Sequence, residues 1–199
     1  MSHFNMMGGV DPNFLDEAVF DNEEASNCLM GMGITSENVA KEFGITREQQ
    51  DRMAAESNAK AIAQEKMRST EITVYTTKTV DKEGEETEVK VDRDDGAREG
   101  VTVESLGKLK PAFMKGGTTT AGNSSQMTDG AACVVLARRD IAEKLGATIL
   151  GRFIGFSVAG VPPKIMGIGP AFAIPEALKK SGLEIKDIDI FEVNEAFAS

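Results

Sequence analysis

The spacing of apolar positions changes character along this chain, and each change marks a different kind of element. In "ITSENVAKEFG", Val39, Ala40 and Phe43 recur at intervals of three and four, the period of one helical face. Thr35 or Ser36 is placed to cap that helix and Gly44 to end it. The next stretch, "ITREQQDRMAAESNAKAIAQEKM", opens with Thr46 and, three residues on, Gln49. This is a capping box, in which each side chain satisfies the other's free amide. Its alanines at 54, 55, 59, 61 and 63 suit a helix lying close against a neighbour. From Glu71 the pattern turns β-branched. "TEITVYTTKTV" predicts a strand and "DKEGEETEVKVD" a hairpin around Gly84. Residues 1–27 are polar and rich in Met and Gly, and predict irregular structure.

The second half is more hydrophobic and more regular. "GAACVVLARRDIAEKLGA" predicts a buried strand and then a short helix ended by Gly146. "ATILGRFIGFSVAGV" predicts a second strand with a glycine-rich exit. "IGPAFAIPEALKKSG" predicts a helix begun by one of its two prolines and stopped by Gly182. "DIDIFEV" predicts a third strand. Strand, helix, strand, helix, strand is the pattern of an α/β layered core. It leaves residues 1–127 as a separate piece of mixed α+β character.

Composition narrows the chemistry. The net charge of −10 and pI near 4.7 argue against binding a nucleic-acid backbone. Between Glu71 and Gly100 ten acids stand against five bases, the signature of a solvated rim. The start of the chain shows no signal-peptide pattern, and no apolar run reaches the ~20 residues of a membrane span. Two cysteines, Cys28 and Cys133, give no disulfide framework and suit a reducing compartment. His3 is the only histidine, so a histidine triad, a Cys-His dyad and a histidine-rich metal site all lack their histidine here, and no metal site is expected. Cys133 sits inside "AACVVLA", an apolar strand expected to keep its thiol buried and inert; Cys28 has no basic neighbour in sequence.

Three glycine-bearing stretches carry candidate chemistry. "KIMGIGPA" has Gly-x-Gly before a helix, weak as an anion site because the third glycine is missing. "KGGTTTAGNSSQMTDGAA" is a turn-rich run whose small residues and Ser125 hydroxyl would form a smooth wall for an extended ligand. "NEAFA" puts Asn194, Glu195 and Phe197 at a strand's C-terminal end, where α/β proteins build their sites.

Taken in order, "TTTAGNSSQMTDGAA", "VPPKIMGIGPA" and "DIDIFEVNEAFAS" resemble the thiolase family, nearest the peroxisomal 3-ketoacyl-CoA thiolases. "MGITSENVAKEFGITREQQD", "AREGVTVESLGKLKPAF" and "RFIGFSVAGVPP" extend the likeness from about Cys28 onward. The resemblance implies a partial thiolase fold of class α/β. Residues 1–127 resemble the loop domain that covers coenzyme A, 128–146 the end of the N-terminal βαβαβ half, and 147–199 the start of the C-terminal half. It implies thiolysis of a 3-ketoacyl-CoA by free CoA, yielding acetyl-CoA and a shortened acyl-CoA. A cysteine thiolate attacks the keto carbon, acetyl-CoA leaves, and CoA takes the acyl group from the enzyme. The family's nucleophile is expected before this segment, and its Gly-His-Pro histidine and second cysteine after it. Coenzyme A is a substrate and no separate cofactor is implied. The implied setting is a homodimer in the peroxisome, although the terminal "FAS" is not a peroxisomal address.

Residue by residue, Asn194 matches the family's asparagine that holds a water in the oxyanion hole. Phe197 and Met166 resemble walls of the acyl pocket, and Met32 and Met166 match positions that line the family's substrate pocket. Ser125 and Ala121 resemble contacts to the pantetheine arm. Arg98, Ser105 and Phe113 match positions around the nucleotide end of CoA. Gly31 stands where some biosynthetic thiolases carry histidine, which ranks acetoacetyl-CoA synthesis second. A non-catalytic CoA-binding segment and an unrelated nucleotide-binding α/β protein are the readings from other classes.

Overall fold

A computed structural model describes residues 15–128 and 130–199; His3 lies outside them. The chain separates into two compact units, Met1–Val39 with Met127–Asn194, and Ala40–Gln126 with Glu195–Ser199.

The described part of the first unit opens with two short helices, α1 (Ala18–Asp21) and α2 (Glu23–Asn27), where irregular chain was predicted. Asn22 makes the second possible: its side chain accepts the Ala25 amide as an N-cap. The following helix, α3 (Met32–Phe43), runs on into the second unit. It begins three residues before the predicted cap, because the carbonyl of Gly31 already accepts the amides of Ile34 and Thr35. Thr35 is therefore an interior residue, and its hydroxyl donates back to the Met32 carbonyl at 2.7 Å. Ser36, also predicted as a cap, is buried.

The remaining elements of this unit come after residue 127. They are α7 (Arg139–Lys144), a 3-10 turn at Pro163–Ile168, α8 (Gly169–Ser181) and a 3-10 turn at Ile185–Asp187. α8 has Pro170 in its first turn, a second proline, Pro175, in its interior, and the left-handed Gly182 (φ 67°) at its end. The Pro163–Ile168 turn lies on α3: Asn38 donates to the Lys164 carbonyl at 2.9 Å, and Ile165 is buried.

The three predicted core strands do not form. Residues 131–138, 147–160 and 188–193 are irregular, and Val135, Leu150 and Ile190 are 89%, 96% and 75% exposed. A strand is a property of a pair, and among the described residues no backbone lies alongside these runs to complete a ladder. Cys133 shares this exposure. The expectation that burial makes its thiol inert fails for that reason, although the thiol makes no hydrogen bond or ion pair among the described residues.

The second unit is built on α4 (Arg47–Ala63). Its capping box forms as predicted, Thr46 accepting the Gln49 amide while Gln49 accepts that of Thr46. A short helix, α5 (Glu65–Arg68), follows and leads to β1 (Tyr75–Val80) and β2 (Glu86–Val91), an antiparallel pair in register Tyr75↔Val91 to Val80↔Glu86. The predicted hairpin is thus present. Its turn is closed by Asp81, whose carboxylate accepts the amides of Glu83 and Glu85, and by Gly84 at φ 86°. Helix α6 (Val103–Gly107) has a second capping box, Thr102 with Ser105, and packs on α4.

Candidate functional site

Six of the nine predicted site residues, Arg98, Ser105, Phe113, Ala121, Ser125 and Phe197, belong to the second unit. The turn-rich run from Gly117 to Gln126 is held by its own buried polar residues. Thr119 and Thr120 are fully buried, and Asn123 is 4% exposed. The Asn123 side chain accepts the Thr120 amide at 2.7 Å and donates to the Thr118 carbonyl at 3.0 Å. It also donates to the Asp51 carboxylate on α4, again at 3.0 Å. Gly122 makes room for a close approach: a Cβ there would lie 2.5 Å from Leu106 Cδ2 and 2.6 Å from Leu109 Cδ1, so both leucine side chains would have to shift.

Residues 195–199 dock along this run like a short added strand. The Ser125 amide donates to the Ala196 carbonyl and the Ala198 amide to the Asn123 carbonyl, with Ser124 opposite Phe197. Phe197 meets Phe113 edge to face, ring centroids 6.2 Å apart. Glu195 accepts a hydrogen bond from Ser57 on α4. Ser125, Ala121 and Phe113 are exposed beside this junction, and Phe197 is half-buried.

Arg98 is fixed through its backbone. The Asn58 side chain donates to the Arg98 carbonyl at 2.6 Å and accepts its amide at 2.9 Å, which leaves the guanidinium exposed and unpaired among the described residues. The Ser105 hydroxyl accepts the Thr102 amide and donates to the Thr102 carbonyl, so it caps α6.

Met32, Met166 and Asn194 belong to the first unit. Met32 opens α3 and is 41% exposed; Met166 lies in the Pro163–Ile168 turn and is 47% exposed. Asn194 is exposed, in irregular chain, and its amide has no partner among the described residues. No group of three or more potential metal ligands occurs among the described residues.

Arg47, Asp51, Asn58 and Asn123 do the holding, and none of them is among the nine predicted site residues. Arg47 and Asp51 were visible as an i,i+4 pair of opposite charge on a helix. Asn123 was visible as the one amide in "AGNSS". Nothing in the sequence showed that these residues meet.

Two family models match consecutive parts of the chain: "Thiolase, N-terminal domain" over residues 1–140 and "Thiolase, C-terminal domain" over residues 147–199. The chain belongs to the thiolase family. Peroxisomal 3-ketoacyl-CoA thiolase B of Rattus norvegicus is 53% identical over 191 residues, 95% of this chain and 45% of that protein. The dimeric peroxisomal thiolase of Saccharomyces cerevisiae superposes with a TM-score of 0.83 at 46% identity, over 98% of this chain and 47% of its own. The Bacillus anthracis acetyl-CoA acetyltransferase superposes with a TM-score of 0.78 at 42% identity, covering 85% and 42%. This thiolase chain spans about half the length of the curated relatives it matches, and its fold is a partial thiolase fold.

Proposed function

We propose that this chain is the coenzyme-A-facing part of a degradative 3-ketoacyl-CoA thiolase. In this reading residues 1–127 form the loop domain, 128–146 end the N-terminal half, and 147–199 open the C-terminal half. The observation that carries the reading is the junction of the 117–126 run with residues 195–199. It brings a backbone lined by small residues, an exposed serine hydroxyl and two aromatic rings to one place. That combination suits the pantetheine arm, a chain of amides and methylenes whose polar groups need donors and acceptors and whose stem needs apolar contact. Ser125 and Ala121 would meet the arm, Phe113 and Arg98 the nucleotide end with Ser105 nearby, and Phe197 the acyl chain; in the first unit, Met166 and Met32 match positions of the family's substrate pocket.

Asn194 would act in the reaction itself. Its free amide is uncharged, so it can fix a water against the thioester oxygen without burying an unpaired charge. When the bond between the keto carbon and the α-carbon breaks, its electron pair is delocalised onto the thioester oxygen of the leaving acetyl-CoA, and the water's hydrogen bond to that oxygen strengthens. The contribution is to the transition state more than to the ground state. Coenzyme A is substrate and no further cofactor is invoked; the complete enzyme is proposed to be a homodimer in the peroxisome.

The direct test is calorimetric titration of the 199-residue chain with CoA. Saturable binding that weakens in Ser125→Ala supports the reading, and absence of binding at millimolar CoA removes it. Acetoacetyl-CoA synthesis is second because Gly31 stands where some biosynthetic members carry histidine; comparing acetoacetyl-CoA with a longer 3-ketoacyl-CoA in the complete enzyme separates the two.

A further inference from the structure

We infer that a buried relay, Arg47–Asp51–Asn123, is a positioning device that holds the CoA-contact segments of the second unit in register. Asp51 is 1% exposed, and a carboxylate so placed is costly unless each oxygen is engaged. Both are: one accepts Arg47 Nε at 2.7 Å and the other Asn123 Nδ2 at 3.0 Å. From this centre the bonds run outward in two directions. Arg47 donates to the carbonyls of Leu106 and Leu109, at 2.7 and 3.0 Å, fixing the end of α6 and the start of the stretch that carries Phe113. Asn123 fixes Thr118 and Thr120, and its own carbonyl receives the Ala198 amide.

Ser105, Phe113, Ser125 and Phe197 thus sit on four segments tied to one carboxylate. None of the three relay residues is among the candidate contacts with CoA. A fixed relay would lower the ordering cost of binding an extended flexible ligand, because the segments need not be assembled on it. The part of the inference that concerns CoA rests on the function proposed above; the part that concerns the segments does not.

Three variants of the 199-residue chain test both parts: Asn123→Ala, Asn123→Asp, and a double variant that joins Asp51→Asn to Asn123→Asp. Asn123→Asp alone sets two carboxylates against each other. The double variant exchanges the amide and the carboxylate between the two positions and so restores a donor to the relay. The amide introduced at position 51 donates to the carboxylate introduced at position 123 and accepts from Arg47. The donor to the Thr118 carbonyl is lost, and the Arg47 ion pair becomes a hydrogen bond to a neutral amide, so the rescue is partial. Amide exchange at Thr120, Ser125 and Ala198 is expected to accelerate in both single variants and to recover in part in the double variant. Amides between β1 and β2 should stay unchanged. For CoA, each single variant is expected to weaken affinity by roughly tenfold or more at temperatures where it is fully folded, with partial rescue in the double variant. Unchanged exchange at those three amides in both single variants overturns the inference. So does a lowered Tm with unchanged CoA affinity of the folded protein, the behaviour of a merely structural residue. If the wild-type chain shows no CoA binding, the proposed function falls while the exchange pattern still decides the relay.

Discussion

Asn194 and Ser125 are both exposed polar side chains, yet they are expected to fail differently when shortened. In a complete thiolase carrying this segment, Asn194→Ala should lower turnover by about 10²–10³, or roughly 2.7–4 kcal/mol, and change the CoA requirement little. A loss confined to Tm would instead make the residue a strand end. Ser125→Ala should raise the apparent KM for CoA with kcat nearly intact, because its bond would be equally strong before and during reaction. Steady-state kinetics on one preparation of each variant reads both. Gly31 adds a structural case. No atom outside its chain neighbours lies within 4 Å of a Cβ built there, so Gly31→His should fold, with a change in Tm of no more than a few degrees by thermal melt.

The elements that local chemistry specifies were legible in the sequence, and those that need a partner were not. The Thr46–Gln49 box, the turn at Gly84 and the stop at Gly182 depend on residues within five positions of one another, and all three are where the pattern puts them. Thr46→Ala should cost about 0.5–2 kcal/mol in the unfolding of the second unit, measured by denaturant melts. "AACVVLA" is apolar and "DIDIFEV" alternates apolar with charged positions, but neither pattern supplies a neighbouring strand. At the site, Ser125 and Phe197 were picked out by motif, whereas Asp51 and Asn123, separated by 72 positions, required the fold to reveal their contact.

At the scale of the molecule, the consequence is uneven stability. Residues 131–138, 147–160 and 188–193 expose large apolar side chains and, among the described residues, join no sheet ladder, both invitations to association. The isolated 199-residue chain is expected to aggregate with rising concentration. Hydrogen exchange should show protection in α4 and little at Ile190 or Val193, and strong, equal protection at both sites would contradict this. The same polypeptide should show no thiolysis of acetoacetyl-CoA or a longer 3-ketoacyl-CoA. Turnover that survives Cys28→Ala and Cys133→Ala together would overturn the cysteine-thiolate mechanism for this chain.

The pairing of Ser125 with Ala196 also carries a consequence for the order of events during biosynthesis. The two ends of that hydrogen bond are about seventy residues apart, so the 117–126 run leaves the ribosome well before the segment that covers it. At 5–20 residues per second the delay is roughly 4–14 s, far longer than the microseconds in which a hairpin such as β1–β2 closes. The second unit therefore acquires its helix and hairpin early and its final backbone bonds late. Nascent chains stalled near residue 190 should show the hairpin protected and the Ser125 amide open. Extension until residues 195–199 have cleared the ribosome should then close that amide in a single later phase.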